Sequence, residues 1–255
     1  MHYAMNAQTA FTSVSPPRVA APRREWGAAY RALRRLLADK DATGEVFEVM
    51  RALNGTSTRQ GYFKLLSSME GGRLAYAREE LADQLADRDW LATLPPDSLG
   101  AVYRDFTDNG GVTPQGLVAV SAQVMTGIEH PVAWYGRRIR DSHDLWHVVT
   151  GYGLDSLGEA CLVAFSYAQT KSLGWAFIAV GAAIKTRKAP TKQPYVAAIR
   201  EGHARGRAAA WLPGLDWMAL LPQPLEAVRA QLGLAPPPVY LSIPVDQRGN
   251  AVPKG

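Results

Sequence analysis

Segment after segment of this chain spaces its apolar side chains at three- and four-residue intervals, and nowhere do they alternate with hairpin signals. That period belongs to the α-helix, where residues three and four apart share a face; a half-buried strand needs period two. "EWGAAYRALRRLLAD" lines up Trp26, Tyr30, Leu33 and Leu37 on one stripe. "TGEVFEVMRALNG" follows, opened by Thr43 and closed by Asn54-Gly55, a plausible cap pair. "TRQGYFKLLSSM" and "GGRLAYAREELADQLA" read as two more helices, the second with Arg78, Glu79, Glu80 and Asp83 on a solvated face. After Pro95-Pro96, Asp97 or Ser98 caps a helix that stops at Asn109-Gly110-Gly111. Pro131 starts a long helix running to about Gly151, and Asp155 or Ser156 opens the next. Helical patterns around 175–184 and 195–212 follow, then the short pieces "DWMALL" and "LEAVRAQLGL". The expected architecture is all-α, one multi-helix domain over residues 25–235.

The two ends differ. Residues 1–24 hold three prolines, three arginines, no acid and no apolar period, so a disordered arm is expected there. Residues 236–255 are expected to form an irregular Pro-rich tail. The first thirty residues contain no apolar core of the kind a secretory leader needs. The longest apolar run, "LGWAFIAVGAAI" (173–184), falls short of the roughly 20 residues that span a bilayer. One cysteine, Cys161, rules out an internal disulfide and sits among apolar neighbours as a small core residue would. The net charge of +5 suits an anionic membrane or acidic ligands. No basic run is interleaved with aromatics, so no nucleic-acid partner is expected.

Chemistry concentrates in "IRDSHDLWHVVTGYGLDSLGEACLV" (139–163). His143 and His147 lie four apart, one turn apart on the same helix face, a spacing that suits a single metal ion. Asp144 is three before His147 and reaches the same edge. Gly151 and Gly153 permit a turn that brings Glu159, in the next helix's first turns, back against them. Two imidazoles and two carboxylates make a mixed nitrogen and oxygen site for Zn, Fe or Mn. A lone buried histidine is usually a satisfied core residue. Here the pair, the adjacent acid and the flanking Leu145, Trp146, Val148 and Val149 favour a metal, because buried charge needs a partner.

"HDLWH", eleven residues and then Glu159 resembles the HDxxH-x11-E motif of the Coq4 family of ubiquinone (coenzyme Q) biosynthesis proteins. "EGHARGRAAAWLPGLDWMALLPQPLEAVRAQLGL" is similar to that family's closing pattern, and the resemblance covers roughly residues 45–235. It implies that His143, Asp144, His147 and Glu159 hold a divalent metal, often zinc. Set between two histidine ligands, Asp144 is also read as catalytic, a ligand or a group that orients an imidazole and manages protons. The resemblance further implies an all-helical, peripherally membrane-associated protein acting in C1 decarboxylation, coupled to hydroxylation, of a polyprenylated hydroxybenzoate. The partners implied are the prenylated aromatic substrate and other quinone-biosynthesis proteins, at the inner membrane of a bacterium or the matrix side of a mitochondrion. Self-association is left open.

Two rivals stand beside that enzyme. One is a non-catalytic prenyl-lipid-binding scaffold, in which the metal only staples two helices. The other is an HD-type phosphohydrolase, disfavoured because the further ligands such a site needs are not evident. "LGWAFIAVGAAI" suits a prenyl groove or an ordinary core helix, while "RRIR" (137–140) and "KTRK" (185–188) suit a carboxylate, a phosphate or lipid head groups. Arg140, one turn before Asp144, is an obvious ion-pair partner for it. His203 reads as a surface or supporting residue.

Overall fold

A computed structural model describes residues 22–39, 42–111 and 130–252. Among them are sixteen α-helices and no strand, as the periodicity requires. The expected disordered arm lies outside the described residues up to residue 21. The amino-terminal helices are α1 (Trp26–Ala38), α2 (Thr43–Leu53), α3 (Ser57–Leu66), α4 (Met69–Ala77), α5 (Leu81–Leu85), α6 (Arg88–Ala92) and α7 (Leu99–Gly110). Then come α8 (Val132–Asp141), α9 (His143–Thr150), α10 (Ser156–Thr170), α11 (Leu173–Lys185) and α12 (Tyr195–Ala208). The chain ends in the short helices α13 (Trp217–Leu220), α14 (Leu225–Leu232), α15 (Pro238–Ser242) and α16 (Val245–Arg248).

Helix α10 is the axis of the molecule, buried on nearly every side from Ser156 to Gln169. Its main partner is α12, and glycine makes that approach close. A Cβ on Gly202 would lie 2.3 Å from the Cys161 carbonyl oxygen, and one on Gly206 2.6 Å from that of Phe165. Helices α11, α1 and α2 form a second layer in which the small face of α11 is spent on its neighbours. Gly174 meets Met50 and Gly181 meets Leu33. On the other side α9 packs against α7, α14 and α10. Helices α3, α4 and α8 enclose a smaller cluster of Tyr62, Leu65, Leu74, Trp134 and Tyr135.

Three segments differ from the sequence reading, each for a local reason. The expected single helix from Pro131 to Gly151 is broken at Ser142. There the hydroxyl donates to the Ile139 carbonyl at 3.1 Å, competing with the backbone ladder. The segment 71–86 breaks at Arg78, whose left-handed φ of 52° closes α4. The tail is more ordered than its prolines suggest. It forms α15 and α16 and buries Tyr240, Ile243 and Ala251 in the core. Pro236, Pro237 and Pro238 lead into α15, where a proline's missing N–H costs nothing at the first turn.

Candidate metal centre

The site is assembled where α9 ends and α10 begins. Gly151 takes φ 79°, which only glycine adopts cheaply, and its N–H donates to the His147 carbonyl at 2.9 Å to close α9. The chain turns through Tyr152–Leu154 and enters α10 at Asp155, whose carboxylate accepts from the Leu157 and Gly158 amides at 3.1 and 2.9 Å. Gly158 lets the turn fold onto the helix: a Cβ there would stand 2.1 Å from the Gly153 carbonyl oxygen. The tail braces the same turn from outside. The Tyr240 hydroxyl donates to Asp155 and accepts from the Gly153 amide.

This turn brings Glu159 against the two histidines. Donor atoms of His143, His147 and Glu159 all lie within 4.8 Å of one another. His147 Nε2 is 3.3 Å from one Glu159 oxygen and His143 Nε2 is 3.7 Å from the other. The His147 Nδ1 lies 3.0 Å from the Tyr152 carbonyl, which can only accept, so Nδ1 carries the proton and Nε2 presents its lone pair to the cluster. That Nε2 is buried and, among the described residues, makes no hydrogen bond of acceptable geometry, an orphan polar atom. Aromatic rings wall the site: Phe106 stacks on His147 at 5.6 Å and Trp175 on His143 at 6.2 Å. The mouth is on the carboxylate side, since the Glu159 side chain is 41% exposed and that of His147 is not exposed at all.

Electrostatics follow from this packing. Burial works against protonating His147, yet the Glu159 carboxylate and, after it, Asp144 raise its pKa above the ordinary 6.5. Burial likewise opposes ionising Glu159, but the two imidazoles, His147 foremost, hold it well below the usual carboxylate range.

Three of the four residues expected from the sequence are therefore brought together. Asp144 is the exception: it lies buried on the same helix turn and its charge reaches His147 and Tyr103, but it is outside the group of mutually close donors. The basic run 137–140 is spent within the fold. Arg137 pairs with Glu80, Arg138 donates to the Leu215 carbonyl, and Arg140 pairs with Asp141, not with Asp144. His203 stacks on Tyr167 away from the centre. Phe106, Trp175 and the Tyr152 carbonyl were missed from the sequence. Phe106 and Trp175 reach the histidines only through tertiary packing, and a backbone acceptor leaves no residue-type signal.

The donor set fits a divalent ion. Two imidazoles and a carboxylate suit Zn, Fe or Mn, one imidazole is locked in the ligand tautomer, and its free nitrogen has no other partner. Fold and site together define an all-helical protein with a histidine and carboxylate centre between two consecutive helices. Residues 47–238 match the model of the family described as coenzyme Q (ubiquinone) biosynthesis protein Coq4, and the chain belongs to that family. It is a ubiquinone biosynthesis protein.

Named relatives agree. The mitochondrial ubiquinone biosynthesis protein COQ4 of Arthroderma otae is 27% identical over 72% of this chain and 69% of its own length. The mitochondrial coq-4 protein of Neurospora crassa is 29% identical over 68% of this chain but 49% of its own length. The corresponding protein of Talaromyces stipitatus is 28% identical over 80% and 73%. A crystal structure from Nostoc punctiforme, provisionally described as a ubiquinone biosynthesis protein, superposes with a TM-score of 0.58 at 21% identity. It covers 82% of this chain and 98% of its own, which shows a shared fold.

Proposed function

We propose that the protein carries out metal-dependent C1 decarboxylation, coupled to ring hydroxylation, of a polyprenylated hydroxybenzoate, a two-electron oxidation whose oxidant is dioxygen or, with water as the oxygen source, a separate electron acceptor. The observation that carries this reading is the buried, unpartnered Nε2 of His147, held in the ligand tautomer and facing His143 and Glu159. A divalent ion, with zinc the first choice and iron or manganese the alternatives, would be held by His143, His147 and Glu159 and would supply positive charge beside the substrate's carboxylate or phenolate oxygen. Asp144 adds a second carboxylate on the turn that carries the histidines, as a ligand or as the group that handles a proton beside His147. Phe106 covers the buried His147 ring and Trp175 stacks on the partly exposed His143 ring, and both offer flat faces to an aromatic ring.

The lipid-tailed substrate fits a protein that works at a membrane surface. No described helix is long and apolar enough to cross a bilayer. Trp26, Tyr30, Val180 and Ile184 are nevertheless exposed on the adjacent α1 and α11, with Arg187 and Lys188 exposed just beyond them. The small face of α11 is occupied by α1 and α2, so its outward face, not a groove at Gly181, is the apolar surface available to a membrane. In this reading the protein sits on the inner membrane alongside other quinone-biosynthesis proteins.

The test is quinone output from a strain whose only copy is Asp144→Asn, scored against the abundance and bound metal of the same protein. The substitution keeps shape and removes one charge. Loss of quinone from a folded, metal-replete variant is expected. Normal output would remove the catalytic role of Asp144 and leave a lipid-binding scaffold.

A further inference from the structure

At the opposite end of α10 from Glu159 is a cavity of about 340 Å³, lined in part by Gln169 and Thr170. Ten residues of helix separate Gln169 from Glu159, about 15 Å at the usual rise, so the two sites are distinct. Three cations stand around it: Lys64 of α3, Lys171 just past α10, and Arg207 near the end of α12. Among the described residues no aspartate or glutamate is in its wall, and none of the three cations forms an ion pair. Lys64 lies over the Trp211 ring, with its nitrogen 4.2 Å from the centroid. Desolvation and then the nearby Lys171 charge depress the Lys64 pKa, as expected of cations held together without a counter-charge.

A second, independent observation points to a ligand. Tyr135 is 97% buried, lines this cavity, and its hydroxyl has no hydrogen-bond partner among the described residues. Gly61 is in the same wall and lets the Tyr135 ring pack directly against it, since a Cβ there would come within 2.6 Å of that hydroxyl. The Tyr135 hydroxyl is a donor left open to the cavity, and Lys64, Lys171 and Arg207 are exposed around it with no acid among the lining residues. One anionic occupant would engage all four.

We propose that this cavity binds a phosphate group, free on a small molecule or displayed by a lipid head. A phosphate dianion offers several acceptor oxygens, enough for three cations and the Tyr135 donor, which a single carboxylate matches less completely. Its volume falls at the lower end of small-molecule pockets. Nothing in this assignment depends on the metal centre.

The experiment is calorimetric titration of the full chain with inorganic pyrophosphate at low ionic strength. Saturable binding of one equivalent is expected, weakened about tenfold by Lys64→Gln or Lys171→Gln, the effect of losing one charge-assisted contact. Tyr135→Phe, which keeps the ring and removes only the hydroxyl, should weaken it several-fold without lowering the melting temperature. Lys192→Gln, an exposed cation outside the cavity, should leave it unchanged. Absence of saturable binding, or equal weakening by Lys192→Gln and Lys171→Gln, overturns the proposal. Sedimentation with phosphatidylcholine vesicles, with and without phosphatidic acid, separates the two sources. Loss of the phosphatidic-acid-dependent fraction in Lys171→Gln identifies a lipid head; unchanged sedimentation with lost pyrophosphate binding identifies a soluble phosphate.

Discussion

Gly158→Ala is the smallest change that should disable the proposed metal centre without touching His143, His147 or Glu159. Inside a helix, replacing glycine by alanine ordinarily adds about 1 kcal/mol of stability. Here the added Cβ would stand 2.1 Å from the Gly153 carbonyl oxygen, whereas real Cβ contacts stay beyond 3.0 Å. Both partners are backbone, so no side chain can swing aside; the turn 151–155 and α10 must separate by about 0.9 Å. Overpacking of this kind costs about 1–3 kcal/mol, which overrides the propensity gain and leaves the variant slightly to moderately destabilised. The larger effect falls on the site, because His147 and Glu159 flank that turn and metal geometry tolerates only about ±0.2 Å. Affinity should drop by about 10- to 100-fold, the range for disturbing a ligand's support. Competition with a chromophoric chelator measures it, alongside a thermal melt. A Gly158→Ala protein that melts higher than wild type and binds metal equally well would refute the claim that this contact sets the position of Glu159.

His147→Ala should abolish stoichiometric metal binding and Glu159→Ala should weaken it strongly, both in folded protein by circular dichroism; full occupancy in either, by elemental analysis, would remove that residue from the ligand set. Metal affinity should fall with acid, and because Glu159 raises the His147 pKa, protons compete for Nε2 at a higher pH than for a free imidazole near 6.5. In the metal-free protein the sign reverses: the raised imidazole stabilises the fold fully below its unfolded value and loses that contribution as pH climbs through the folded one. Affinity that stays flat across this range, followed by titration in buffers of stepped pH, would contradict the assignment. Val180→Lys with Ile184→Asp, both on the exposed face of α11, should reduce co-sedimentation with lipid vesicles at unchanged melting temperature and metal content; undiminished sedimentation would move the membrane contact elsewhere.

Most of the helices were legible because their apolar periodicity is set by the core they share, as in α1 and α7. The paired histidines were legible for the same reason: four residues on a helix fix a distance. What the sequence could not convey was competition between local and distant partners. Ser142 breaks a periodic helix through one hydroxyl, and nothing in its neighbours announces that. The arginines of 137–140 looked available to an anion, yet Glu80, Asp141 and the Leu215 carbonyl claim three of them, two from elements far along the chain. Asp144 matched the motif by spacing, but spacing leaves its rotamer and burial open. The run 173–184 suited a prenyl groove or a core helix alike, and only the packing of Leu33 against Gly181 shows the space there to be taken.

The clasp of Tyr240 on Asp155 and Gly153 gives the centre an order of construction. A ribosome delivers His143, His147 and Glu159 about eighty residues before it delivers the tyrosine that fastens the turn between them. Until then that turn lacks its outer hydrogen bonds, and the nascent segment can place its histidines and glutamate only loosely. The final geometry becomes available once α15 has docked, which makes the proposed metal capture a late event in the life of the chain. A protein shortened before Tyr240 would keep His143, His147 and Glu159 and still offer a metal only a poorly shaped trap.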